Sequence, residues 1–180
     1  MVRTFIAVEL PDEIRAKICG IQPSFGLKSG LVARDNIHVT LKFLGEIQDA
    51  KVEKIKKALD GIKVAPFQAH VKGIGVFPDM KYIRVIWAGI AEGAEQFVGL
   101  SSAVESALVP LGFAKEKKFT PHATIARVKG VADKNALIAR IKELADAEFG
   151  TFTVGEVKLK KSTLTPKGAI YEDLGVKRLE

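Results

Sequence analysis

Asn36-Ile37-His38-Val39-Thr40-Leu41-Lys42-Phe43 and Phe119-Thr120-Pro121-His122-Ala123-Thr124-Ile125-Ala126 are the two stretches that decide the fold. In the first, Ile37, Val39, Leu41 and Phe43 alternate with polar residues, the period of a half-buried strand. That period puts His38 and Thr40 side by side on the other face, about 7 Å apart along the strand. The second stretch repeats the arrangement with His122 and Thr124. One H-x-T tripeptide means little, whereas two in matched surroundings point to a repeated unit.

The surroundings match further. Val52, Ile55, Leu59 and Ile62 form the apolar stripe of a helix over 50–61, and Leu137, Ile138, Ile141 and Leu144 do so over 134–147. Ile55 and Ile138 follow their histidines at nearly equal offsets, and so do Phe67 and Phe152, each in a further strand. The pattern predicts an internal duplication of a strand-helix-strand unit. Outside it, a strand over 2–10 stops at Pro11, and a helix carrying Ile14, Ile18 and Ile21 runs to Pro23. A loop over 25–34 holds Gly26, Ser29 and Gly30 and adjoins the first H-x-T strand. Strands over 67–77 and 82–90 flank a Pro78-Asp79 turn, a helix over 94–110 buries Phe97, Leu100, Val104 and Leu108, and strands follow over 151–159 and 169–174. Residues 1–180 are therefore expected to form a single bilobal α+β domain. Two pseudo-symmetric lobes of antiparallel sheet plus helices would surround a central cleft, with their polar sheet faces meeting across it.

At 180 residues and 47% hydrophobic, the chain can bury a substantial core, which excludes global disorder. Apolar runs such as Phe5-Ile6-Ala7-Val8 fall far short of the roughly eighteen residues of a membrane span, so no membrane partner is expected. The opening Met1-Val2-Arg3-Thr4-Phe5 reads as neither signal nor transit peptide, and the expected location is the cytoplasm. Cys19, the lone cysteine, falls beside Ile18 and Ile21 and reads as a buried small hydrophobe. A net charge of +7 favours anionic partners, nucleic acid or phosphorylated metabolites. No obligate protein partner is readable.

Imidazole has an unperturbed pKa of about 6.5, so a pair can hold one neutral and one protonated member near neutrality. Such a pair suits displacement at a phosphodiester: one histidine takes the proton of the incoming oxygen, the other protonates the departing alkoxide. Each role is worth roughly 10²–10⁴ in rate. Thr40 and Thr124 are placed to donate hydrogen bonds to a non-bridging phosphate oxygen between the rings. The residues alone do not say which histidine is acid and which is base. His70 has no threonine two residues on and reads as structural. No H-x-x-x-H or cysteine cluster suggests a metal, no G-x-S-x-G suggests a serine nucleophile, and Gly73-Ile74-Gly75 lacks the third glycine of a dinucleotide loop, so no cofactor is expected. The lysine-rich runs 51–57 and 158–161 read as solvated faces, and Phe5 reads as a core residue of the first strand rather than a base-stacking platform.

His38-Val39-Thr40-Leu41 and His122-Ala123-Thr124-Ile125 resemble the duplicated signature of the two-histidine phosphoesterases. Together with Arg3-Thr4-Phe5-Ile6-Ala7-Val8 and Arg84-Val85-Ile86-Trp87-Ala88-Gly89, they make nearly the whole chain similar to one branch, the RNA 2′,3′-cyclic phosphodiesterases, also called 2′-5′ RNA ligases. The resemblance implies a bilobal α+β fold, no metal requirement, and hydrolysis of a terminal 2′,3′-cyclic phosphate to a 2′-phosphate. It implies His38 as proton donor, His122 as proton acceptor, and Thr40 and Thr124 as phosphate contacts. Arg127 matches a basic family position, yet strict alternation sets it on the face opposite His122. Only a β-bulge or the strand's end would redirect it. The implied partner is RNA with a cyclic-phosphate end, tRNA fragments among the candidates. Two other readings remain open at this level: ligation as the physiological direction, and an RNA-end-binding module without turnover.

Overall fold

A computed structural model describes all residues, 1–180. Its chain order is β1 (Val2–Glu9), α1 (Asp12–Ile21), β2 (His38–Ile47), α2 (Asp49–Asp60), β3 (Phe67–Pro78), β4 (Ile83–Ile90), α3 (Ala94–Leu108), β5 (His122–Arg127), α4 (Lys134–Glu143), β6 (Glu148–Val154), β7 (Glu156–Thr165) and β8 (Gly168–Arg178). Local sequence explains the boundaries. Asp12 and Glu13 occupy the first turn of α1 after Pro11, where acidic groups complement the helix dipole. The Asp133 side chain accepts the Ala136 N–H and caps α4. Pro121 delays β5, so the strand begins at His122 rather than at Phe119.

All eight strands form one curled antiparallel sheet in the order β6-β3-β4-β5-β2-β1-β7-β8. The order is symmetric about the junction of β5 and β2, which pair only at Val39 and Ala123. One lobe is β6-β3-β4-β5 and the other is β2-β1-β7-β8, so each lobe takes strands from both halves of the sequence. Here the sequence expectation needs correcting. The stretch read as one strand over 151–159 breaks at Gly155 into β6 and β7, which lie at opposite ends of the sheet. Phe152, matched to Phe67 by offset, lies on β6, which pairs with β3; by position in the sheet the counterpart of β3 is β7. β3 leaves the lobe of β1 and β2, β7 leaves the lobe of β4, β5 and β6, and linear spacing cannot show that.

One face of the sheet is apolar. Ile6 and Val8 of β1, Val39 and Leu41 of β2, and Ala123 and Ile125 of β5 join Ile14, Ile18, Ile55, Leu59, Phe97, Leu100, Leu137 and Ile141 of the helices in one contiguous core. Cys19 is partly buried against it. No helix is long and apolar enough to cross a membrane.

β2 and β5 each contain a β-bulge at the same place. Ile6 pairs with Lys42 and Ala7 with Thr40, which leaves Leu41 as an extra residue; Ile86 pairs with Ala126 and Trp87 with Thr124, which leaves Ile125 extra. A bulge reverses the alternation beyond it. Leu41 and Lys42 are both buried, as are Ile125 and Ala126, and Phe43 and Arg127, each five residues after a histidine, turn out of the core. Phe43 is therefore 60% exposed instead of completing the apolar face expected of it.

A bulge leaves a carbonyl without its ladder partner, and a buried carbonyl must find another. Ile125 O accepts from the Val32 N–H at 3.0 Å and from the Gln22 side-chain amide at 2.9 Å. Leu41 O accepts from the Ser101 hydroxyl at 3.3 Å. Gln22 and Ser101 are among the few buried polar residues, and each follows or sits on a helix packed behind the sheet. Replacing Gln22 with Ala strips the amide from Ile125 O and Val32 O, so it should lower unfolding free energy by about 1–3 kcal/mol in a denaturant titration.

Candidate active site

The second face of the sheet carries the polar residues of both H-x-T stretches. With Val39 opposite Ala123, antiparallel register sets His38 across from Thr124 and Thr40 across from His122. His38, Thr40, His122, Thr124 and Arg127 all line one cleft of about 470 Å³. The five residues singled out from sequence are thus brought together, Arg127 included, because the bulge at Ile125 turns it inward. The 25–34 loop holds it there. Arg127 N–H donates to Gly30 O at 2.7 Å, Leu31 bridges Ala126, and Val32 lines the cleft. Gly30 has φ +90°, and a Cβ there would come within 1.9 Å of Arg127 O.

The two imidazoles are held alike. His38 Nδ1–H donates to the Asn36 carbonyl at 2.7 Å, and His122 Nδ1–H donates to the Thr120 carbonyl at 2.7 Å. This fixes one neutral tautomer for both rings, with each Nε2 lone pair free of the backbone. The Thr40 hydroxyl donates to Nε2 of His38 at 2.9 Å. Aromatic rings back each histidine. Phe5 stacks on His38 at 4.9 Å between centroids with Tyr171 edge-on at 5.5 Å, and Phe77 meets His122 edge-on at 4.9 Å with Trp87 behind at 6.3 Å.

Burial pushes His38 down to about 4; the Asn36 carbonyl opposes the shift, Lys160 adds to it, Glu9 opposes and Arg127 adds. Burial also pushes His122 down, against the Thr120 carbonyl and with help from Arg127. Arg127 is the cation that acts on both rings. Both shifts favour the neutral imidazole, and the cleft walls bring Arg127, Lys42 and Lys118 together against a single carboxylate, Glu116. No group of three or more His, Cys, Asp or Glu side chains lies close enough together to hold a metal ion.

Residues 8–87 and, separately, 89–171 match the model of the LigT-like phosphoesterase family. The chain belongs to that family. It is 41% identical over 172 residues to a Methanocaldococcus jannaschii protein named RNA 2′,3′-cyclic phosphodiesterase, covering 95% of this chain and 97% of the other. A Methanothermobacter thermautotrophicus protein of the same name is 40% identical over 185 residues, covering 99% of both. Among solved structures, E. coli LigT complexed with 3′-AMP superposes with a TM-score of 0.80 at 26% identity, covering 99% of this chain and 98% of that one. TT0787 of Thermus thermophilus gives 0.79 at 30%, covering 98% and 97%.

Within this LigT-like frame the structure adds residues that the sequence reading passed over. Trp87 lies against Gly75, where a Cβ would come within 2.2 Å of the indole; Gly73-Ile74-Gly75 is thus a strand opened to admit a ring. Phe5 is 3% exposed, so it is buried as expected, but its ring serves as a floor under His38. The lysines of 158–161 are not all solvated. Lys160 is 5% exposed, and it and Lys158 bridge the same two carboxylates, Glu9 and Asp173, on the cleft side of β1, β7 and β8. His70 pairs with Glu148 on β6, away from the cleft.

A histidine whose folded pKa lies below its unfolded value of about 6.5 stabilises the fold fully above that pH, and this contribution fades as pH falls toward 4. Melting temperatures of wild type and His38→Asn should therefore converge or cross between pH 6.5 and 4, the wild type losing more. Gly30→Ala should displace Arg127 and lower activity as Arg127→Gln does, with melting curves to separate this from unfolding.

Proposed function

We propose that the protein hydrolyses the 2′,3′-cyclic phosphate at the end of an RNA to a 2′-phosphate, by metal-independent acid–base catalysis with His38 and His122. The observation that carries this reading is the pair of imidazoles in one tautomer, Nε2 unencumbered by backbone, in a single cleft with Thr40, Thr124 and Arg127. The names of the relatives supply the substrate class.

Water attacks phosphorus opposite the P–O3′ bond. His122 Nε2, which no protein group occupies, accepts a proton from that water as the new P–O bond forms. The P–O3′ bond breaks, and protonated His38 Nε2 delivers its proton to O3′. The residual charge on the non-bridging oxygens is met by the Thr40 and Thr124 hydroxyls and the Arg127 guanidinium. The donor and acceptor roles are those that the family resemblance implies, and the free lone pair of His122 supports them.

Because the free His38 is neutral well below neutrality, it acquires its working proton with the substrate. The anionic phosphate opposes the burial and the Arg127 and Lys160 charges that depress its pKa. On protonation, Nε2 becomes a donor, and the Thr40 hydroxyl is released from it to turn toward phosphate.

We also infer that residues 1–180 are one domain that arose by internal duplication. The family model's two consecutive matches and the identical placement of bulges after the two histidines support this.

Incubating a short RNA ending in a 2′,3′-cyclic phosphate with the protein in EDTA, and assigning the product phosphate, tests the reaction. A 2′-phosphate at undiminished rate is expected, with loss of roughly 10²–10⁴ in His38→Ala and in His122→Ala. Full activity in either variant, or dependence on added metal, would remove the mechanism. Binding of a nucleoside 2′-monophosphate should take up protons above pH 6.5, read by calorimetry in buffers of different ionisation enthalpy, and His38→Asn should diminish the uptake.

A further inference from the structure

The cleft does not end at Arg127. A second cavity, of about 580 Å³, shares Phe43, Arg127 and Tyr171 with the first and continues past them. Its walls include Arg3 at the start of β1, Ser162 of β7 and Leu164 near the β7–β8 hairpin, with Glu46 of β2 also lining it. The two cavities adjoin at a waist formed by these three shared residues, with the reacting phosphate on one side and the open trough on the other.

The trough has the chemistry of a nucleotide site. Phe43 presents an aromatic face to solvent because of the bulge at Leu41, and Phe5 and Tyr171 lie beside it, Phe5 at 6.2 Å from Phe43 and 4.8 Å from Tyr171. An exposed phenyl ring beside an arginine is the pairing that holds single-stranded nucleic acid, through stacking and phosphate contact. The first cavity already has room and apolar walls, Phe77, Val85 and Phe119, for the terminal nucleoside. The trough is thus left for the next residue of the chain.

We propose that this trough, resting on the RNA reading above, is the subsite for the nucleotide immediately 5′ of the cyclic-phosphate end. Its base stacks on Phe43, and the internucleotide phosphate faces Arg3. Phe43 occupies on β2 the position that Arg127 occupies on β5, so the two lobes offer the substrate different groups: a ring on one side of the waist and a guanidinium on the other. The site accordingly distinguishes an RNA end from a free nucleoside cyclic phosphate, with little preference for which base stands there.

The test compares a dinucleotide with a mononucleoside, both ending in a 2′,3′-cyclic phosphate. The wild type should show kcat/KM for the dinucleotide higher by about tenfold or more. Phe43→Leu should collapse that ratio toward one. Arg3→Gln should lower the dinucleotide rate alone, and its binding of a 2′-phosphate-ended dinucleotide should depend less on salt, the slope falling by about 0.7 for one lost phosphate contact. A ratio unchanged in both variants, or an equal loss for both substrates, would overturn the assignment, the latter because the trough would then hold the terminal base. Failure of the wild type to turn over either substrate would refute the proposed reaction. The affinity difference between the dinucleotide and a nucleoside 2′-monophosphate would still decide the subsite: expected in the wild type and lost in Phe43→Leu, with no difference in the wild type counting against it.

Discussion

The carbonyls of Leu41 and Ile125 are the points on which the site depends. Each belongs to the extra residue of a β-bulge and would be left without a hydrogen bond inside an apolar layer, a cost of about 1–3 kcal/mol apiece. The Ser101 hydroxyl removes that cost at Leu41, and the Gln22 amide together with the Val32 N–H removes it at Ile125. Once the bulges are affordable, the alternation that put His38, Thr40, His122 and Thr124 on the cleft face can reverse in time to put Phe43 and Arg127 there too. An unbulged β5 would bury or misdirect the guanidinium and remove the one cation that acts on both rings.

Burial then shapes the chemistry. Aromatic rings fix the orientation of each imidazole, and the same packing depresses its basicity. Lowered basicity at both histidines disfavours an imidazolium beside Arg127, and in the proposed reaction it couples proton uptake to the arrival of an anion. The square of Glu9, Asp173, Lys158 and Lys160 next to His38, buried at Lys160 and open to solvent at Asp173, carries no net formal charge. Burial raises the carboxylate pKa values, the lysines outweigh it, and both Glu9 and Asp173 end below their usual range. Lys160 and Glu9 act on His38 with opposite sign, so this ionic cluster fills the space under the lobe without strongly biasing the ring.

Much of this was legible in the sequence. The alternating H-x-T strands, the helical stripes and the pairing of the two histidines follow from periodicity, and all five named site residues share the cleft. What was not legible has common physical causes. The swap of β3 and β7 between lobes is a matter of long-range pairing, invisible to linear offsets. Phe43 was misread because period two assumes an unbroken ladder, and the lysines of β7 because a run of like charge does not show the distant carboxylates, Glu9 and Asp173, that pair with it. In retrospect, two adjacent residues in β2, Leu41 and Lys42, that cannot both alternate correctly if Phe43 is exposed carry the trace of the bulge, but only pairing partners reveal which is extra. Gly30 and Gly75 could be recognised as glycines in special places; what each makes room for, the Arg127 carbonyl and the Trp87 indole, requires the third dimension.

The lobes share a backbone plan and differ in side chains, and that difference gives the groove a direction. Around His38 the supports are Phe5, Tyr171 and the lysine–carboxylate square; around His122 they are Phe77 and Trp87, without a counterpart to that square. A symmetric site would bind a phosphate equally in two orientations, only one of which aligns the leaving oxygen with the proton donor. Making one lobe more ionic and more enclosed, and placing a ring rather than a guanidinium five residues after its histidine, gives the two orientations different energies. The repeated backbone plan supplies two matched histidines, and in the proposed reaction the difference between their neighbours is what separates the acid from the base.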